Sequence, residues 1–99
     1  MFYGTWAITV DDKKRIVLPA KFRRALGSPV IVFFKGRKAQ LYPGKEIKDF
    51  PPEKFGNLWL MKIDKQGRAT IPFPLQDKGP FRDKKLALVG QLDHFLIVH

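Results

Sequence analysis

The sequence has no cysteine, so neither a disulfide framework nor a thiolate metal site can be built from it. Histidine is scarce too, with only His94 and His99 present. Asp93-His94 has the look of half a catalytic dyad, but no Ser or Cys stands near it in sequence to serve as nucleophile. A place in a turn or at a strand end is the simpler expectation for His94. No HExxH, phosphate-binding loop or glycine-rich dinucleotide signature occurs. The expectation is therefore a non-enzyme with no catalytic residues, cofactor, metal or small-molecule substrate. No segment approaches the ~20 apolar residues of a membrane span, so no membrane partner is expected. Met1-Phe2-Tyr3-Gly4 lacks the basic and apolar parts of a signal peptide. Together with the missing cysteines, this makes the cytoplasm the expected location.

Acidic residues are also few. Nine Asp and Glu face nineteen Lys and Arg, a net charge of +10 in 99 residues. The excess is uneven: +7 over residues 1–42, zero over 43–57 and +3 over 58–99. Such a balance points to a polyanionic partner, of which nucleic acid is the commonest. Taken alone, the charge is equally consistent with a surface that only confers solubility.

What the sequence does contain is a repeat. Val10-Asp11-Asp12-Lys13-Lys14-Arg15-Ile16-Val17-Leu18-Pro19 is echoed by Ile63-Asp64-Lys65-Gln66-Gly67-Arg68-Ala69-Thr70-Ile71-Pro72. The Asp–Arg and Arg–Pro spacings are both four, and the copies lie 53 residues apart. Two copies of one supersecondary unit follow: residues 1–42 and 58–99, joined by a linker over 43–57. Each copy reads strand, turn, strand, short helix, strand, turn, strand. In the first, strands over 3–10 and 15–18 precede a helix over 20–26, which Pro19 opens and Gly27 with Pro29 closes. Strands over 30–34 and 39–42 then flank the turn 35–38. The second copy repeats the order over 58–64, 68–71, 85–90 and 95–98. Its helix near 73–78 is cut short by Pro74 and ended by Gly79-Pro80. In the linker, three prolines leave room for about one helical turn at 45–49.

A half-unit of about 40 residues buries too little surface to be stable alone. Pairing or interleaving the two halves would complete one core and remove open sheet edges. The expected fold is mainly β with short helices, in a single compact pseudo-dimer. Trp6 and Trp59 occupy matching first strands and are assigned to core or interface.

Two groups of cations are the candidate partner-binding residues. The turn tips carry Lys13, Lys14, Arg15, Lys65 and Arg68, with Asp11 and Asp64 placed to accept bonds from turn backbone. Gly67 suits a turn that needs positive φ, whereas Lys14 takes that place in the first copy. Either the first turn differs in shape or Lys14 bears a strained position. The helix adds Lys21, Arg23 and Arg24. Arginine grips phosphate in two-pronged fashion or reads guanine edges. The competing reading is that these residues only shape turns and solvate a helix. The second copy has Gln76 and Asp77 where Arg23 and Arg24 stand, so the copies should hold a polyanion unequally.

These motifs resemble the MraZ family of bacterial transcriptional regulators over nearly the whole chain. The likeness rests on Met1-Phe2-x-Gly4, both Asp–x–x–x–Arg turns, Leu18-Pro19-Ala20-Lys21-Phe22-Arg23, and Val89-Gly90 followed by Asp93-His94-Phe95. The spacing Arg15, Pro19, Arg23-Arg24, Leu26-Gly27 is also similar to single-motif AbrB regulators. The resemblance implies two tandem AbrB-type swapped-hairpin motifs forming one pseudo-dimeric β-barrel. It implies sequence-selective binding of double-stranded DNA at promoter repeats of division and cell-wall genes, nucleoid association, and homo-oligomers such as rings. The DNA-binding set would be Lys13, Lys14, Arg15, Lys21, Arg23, Arg24, Lys65 and Arg68. The chain departs from the family in a shorter middle and in Lys14, which breaks the first Gly-Arg pair. The alternative on the same fold is an antitoxin-like protein-interaction module. Such modules carry an unstructured tail, whereas residues 95–99 read as strand.

Overall fold

The structure is a computed structural model that describes residues 2–98; Met1 of the amino-terminal motif and His99 lie outside the described residues. Strands β1 (Thr5–Thr9) and β2 (Arg15–Val17) lead into helix α1 (Ala20–Leu26), then β3 (Val30–Lys35) and β4 (Lys38–Pro43). Strands β5 (Leu58–Met61), β6 (Arg68–Thr70), β7 (Lys85–Gly90) and β8 (Phe95–Val98) follow in the second copy. β3 is a continuous apolar run with Val30 to Phe33 buried, as a central strand requires. β4 alternates buried and open residues. α1 ends at Gly27, whose N–H closes the last helical bond to the Arg23 carbonyl while its φ of 71° turns the chain out of the helix.

Six strands pair in the order β1-β7-β8-β4-β3-β5, and β2 pairs with β6 in a separate ribbon. The first strand of each copy therefore lies against the third strand of the other. Trp6 faces Leu88 and Trp59 faces Val32, so the first strands match at an offset of 53 and the third strands at 56. A pseudo-twofold axis passes through Ile16↔Ala69 in the ribbon and Gln40↔Leu96 in the sheet. The hairpins are interleaved, as expected. The expected barrel does not close: the six strands form an open sheet, and beyond β1 and β5 it meets the separate ribbon only through the isolated bridges Val10↔Ile16 and Ile63↔Ala69.

The three extra residues of the second copy fall where it departs from the first. Instead of a helix over 73–78, two 3-10 turns form, Phe73–Leu75 and Gly79–Arg82. Pro80 would lack an N–H inside a helix continued from Phe73, and each proline disfavours the helical region for the residue before it. Residues 43–57 hold more structure than a single helical turn at 45–49. They form two 3-10 turns, Gly44–Asp49 and Pro52–Asn57, both packed on β3.

The core lies between ribbon and sheet. Ile16, Leu18, Ala69 and Ile71 are buried, as are Leu41, Leu88, Phe95 and Ile97. The Phe22 ring ties α1 to this core at 4.6 Å from Phe95 and 5.2 Å from Trp6. Trp59 packs against the core edge-on to Phe34. Gly90 does more than allow a hairpin: the Tyr3 backbone stands where its Cβ would be.

Candidate nucleic-acid interface

The two repeated turns adopt the same conformation, bond for bond. Asp11 Oδ1 accepts from the N–H groups of Lys13 and Arg15 at 2.9 and 2.8 Å, and its Oδ2 accepts from Arg15 Nε at 2.8 Å. Asp64 Oδ1 accepts from Gln66 and Arg68 at 2.8 and 2.9 Å, and its Oδ2 from Arg68 Nε at 3.0 Å. The N–H of Lys14 or Gly67 donates to the Asp carbonyl at 3.0 Å in each case. Lys14 thus keeps the turn shape at a φ of 59°, against 82° for Gly67. The strained position is the alternative that holds, a conformation uncommon for residues with a Cβ. Both aspartates titrate below the usual carboxylate range. The main cause is the backbone N–H of Arg15 or Arg68, aided by the arginine side chain.

Each turn is also fastened to the opposite copy. Leu18 N–H donates to Gly67 O at 3.0 Å, and Ile71 N–H donates to Lys14 O at 2.9 Å. Within the ribbon Arg15 faces Thr70 and Val17 faces Arg68. Side chains alternate along a strand, and the central pair Ile16 and Ala69 is fully buried. The outer face therefore carries Arg15, Val17, Arg68 and Thr70, with the two arginines at diagonal corners. Each guanidinium spends its Nε–H on the turn aspartate, and the Nη groups are not part of that pair. Shaping the turn and offering a cation are thus compatible roles for one side chain. Lys13 and Lys65 lie exposed on the turn tips, and Lys14 is half-buried.

The helix cations divide. Arg23 reaches across the copy boundary: a Cβ on Gly67 would lie 2.7 Å from its Cζ, Nε and Nη1. It therefore sits over the second turn, at the residue whose carbonyl accepts from the Leu18 N–H. Arg23 and Arg24 line a cleft of about 420 Å³ with Ser28, Ile63 and Asp64, where Ser28 Oγ accepts from the Ile63 N–H at 3.1 Å. Lys21 turns elsewhere, with Nζ 3.8 Å from the Trp6 ring centre, and Trp6 is 37% exposed. In the second copy Gln76 Nε2 donates to Ile71 O at 3.0 Å.

Three features were not picked out from sequence. Val17 and Thr70 share the arginine face, which period-two alternation of Arg15-Ile16-Val17 and Arg68-Ala69-Thr70 would have revealed. Gly67 contacts Arg23, for which no sequence signal exists. Arg37, Lys38 and Arg82 edge a second cleft, about 970 Å³, with Asp83; the run Lys35-Gly36-Arg37-Lys38 was its trace. His94 sits at the start of β8, bonded to Asp93 at 2.7 Å and stacked on Tyr42. Among the described residues no cluster of His, Cys, Asp and Glu could hold a metal ion, and no helix is long and apolar enough to cross a membrane.

A family model described as "MraZ protein, putative antitoxin-like" matches residues 1–50. A protein of Salinispora arenicola named transcriptional regulator MraZ is 33% identical, over 91% of this chain and 75% of its own length. One of the same name from Colwellia psychrerythraea is 34% identical over 100% of this chain and 80% of its own length. Another from Kocuria rhizophila is 31% identical over 91% and 75% respectively.

Proposed function

The chain belongs to the MraZ family, and from that premise we propose that it is a transcriptional regulator that binds double-stranded DNA with sequence preference. The observation that carries this reading is the outer face of the β2–β6 ribbon, with Arg15 and Arg68 on diagonal corners. A two-stranded antiparallel ribbon is one of the shapes that a DNA major groove admits. Arginines held at fixed corners suit guanine edges or phosphates. Lys13, Lys14 and Lys65 flank them as backbone anchors, because phosphate contacts set position while base contacts specify. Arg23 and Arg24 extend the face beside the second turn, and Lys21 adds flanking charge. The +10 net charge draws the protein to the duplex.

On this reading its sites are promoter repeats of division and cell-wall genes, and a nucleoid-associated homo-oligomer, such as a ring, engages several repeats. The repeats at 1–42 and 58–99, joined by 43–57, act as one binding unit. No enzymatic role is part of this reading. Selection of bound duplexes from a random-sequence library, followed by fluorescence anisotropy over a salt series, tests it. Affinity should fall steeply with salt as counterions are released, and the selected sequences should converge. Absent or salt-indifferent binding would sink the reading; co-purification of a small protein toxin would favour the antitoxin-like alternative.

A further inference from the structure

We propose that Gly67 is the positioning residue for Arg23, and that this contact across the copy boundary sets how tightly the interface holds DNA; the inference rests on the DNA-binding reading above. Gly67 is buried although it lies in a turn. What covers it is the Arg23 guanidinium, three of whose atoms would lie 2.7 Å from a Cβ at position 67. Such a separation is below any real carbon contact. The colliding group is the tip of a long side chain, so the arginine, and not the fold, would give way. Arg23 Nε is buried without a hydrogen-bond partner. Burying that N–H unpaired costs free energy, which the packing of the guanidinium has to offset. Gly67 supplies the flat surface for that packing.

The pseudo-twofold axis supplies an internal comparison. Lys14 stands where Gly67 stands, and Gln76 where Arg23 stands. The turn without glycine faces the copy without arginine. A Lys at both turns would put a Cβ and a second cation against Arg23. The pairing of Arg with Gly satisfies this steric and electrostatic condition.

The consequence is a guanidinium whose orientation is set before DNA arrives, beside Arg68 of the second turn. Pre-ordering a long side chain removes an entropy cost from binding. Displacing it by a methyl group at position 67 should therefore weaken binding as much as removing the arginine.

The test is a double-mutant cycle with Gly67→Ala, Arg23→Gln and the combined variant. The probe is a fluorescein-labelled duplex selected by the wild-type protein from a random-sequence library. Gly36→Ala is the control, because Gly36 has a φ of 65° and nothing within 4 Å of its Cβ position. It likewise sets a Cβ at positive φ and displaces nothing. Each of Gly67→Ala and Arg23→Gln should raise Kd about tenfold, and the combined variant about tenfold as well, since the loss is shared. Gly36→Ala should bind as wild type. A second readout needs no DNA: the Arg23 Nε–H should exchange with solvent at least about tenfold more slowly than that of Arg24, and Gly67→Ala should abolish the difference. If Gly67→Ala does not fold, Gly67→Asn replaces it, because Asn tolerates positive φ. Wild-type affinity in the Gly67 variant overturns the proposal, as does a combined loss near a hundredfold or a rapidly exchanging Arg23 Nε–H in the wild type. A wild-type protein that binds no duplex defeats the DNA-binding reading and the affinity half of this one, while the exchange rates still decide whether Gly67 seats Arg23.

Discussion

Arg15 and Arg68 each do local work and keep their Nη donors over. The Nε–H of each is bound to its own turn aspartate. On the proposed reading, Arg15→Ala or Arg68→Ala should weaken duplex binding about tenfold and relax sequence preference at one position. Lys13→Ala should weaken binding evenly across sequences and lower the slope of log Kd against log salt by about one. Anisotropy titrations on selected and scrambled duplexes distinguish the two patterns. The aspartates give a pH prediction. Their folded-state pKa lies below the ordinary 3.8. The stability they contribute is therefore complete above that value and is lost as pH falls through the depressed one. Urea midpoints should hold through neutral pH and drop below pH 3.8. The Asp11→Asn, Asp64→Asn double variant should show a shallower acid drop, because neither side chain then titrates. These turns were legible in the sequence, since every bond that shapes them spans at most four residues. Gly67 and Arg23 were not, because they are 44 positions apart and meet only through the swap.

At the scale of elements, the ribbon and α1 divide the labour. The ribbon has one buried pair, Ile16 and Ala69, and one outward face. Val17 on that face is 53% exposed. Val17→Glu should leave the unfolding free energy in urea within about 1 kcal/mol of wild type, as surface strand changes do. It should weaken duplex binding more than tenfold by setting a carboxylate against phosphates. α1 behaves oppositely. Phe22→Ala removes a ring lodged between Trp6 and Phe95 and should cost about 3–5 kcal/mol in urea unfolding. The first helix was readable from Pro19 and Gly27, whose chemistry acts within one turn. The linker was less so. Its 3-10 turns depend on packing against β3, a partner that spacing does not disclose. The second helix was read as too long, because Pro74 and Pro80 together leave only separate 3-10 turns.

For the whole molecule, interleaving means neither copy owns its sheet. β1 depends on β7, and β5 depends on β3. Unfolding should therefore be one cooperative event. Trp6 reports from the first copy and Trp59 from the second. Single-tryptophan variants, Trp6→Phe and Trp59→Phe, should each show fluorescence midpoints coincident with their own far-UV dichroism. Two separated transitions within either variant would contradict the interleaved pairing. The duplication and the mainly β character were evident from the repeated decapeptide. The strand order was not, since repetition alone is compatible with halves that stand side by side.

The Lys14 and Gly67 turns carry a further consequence. In an assembly of two identical chains, any change at one turn is inherited by its mate, and a lysine there would be imposed on both. Joining the halves in one polypeptide lifts that bond between twins. One side can keep a bare backbone under an arginine while the other acquires a charge, so a surface born symmetrical becomes free to acquire a direction.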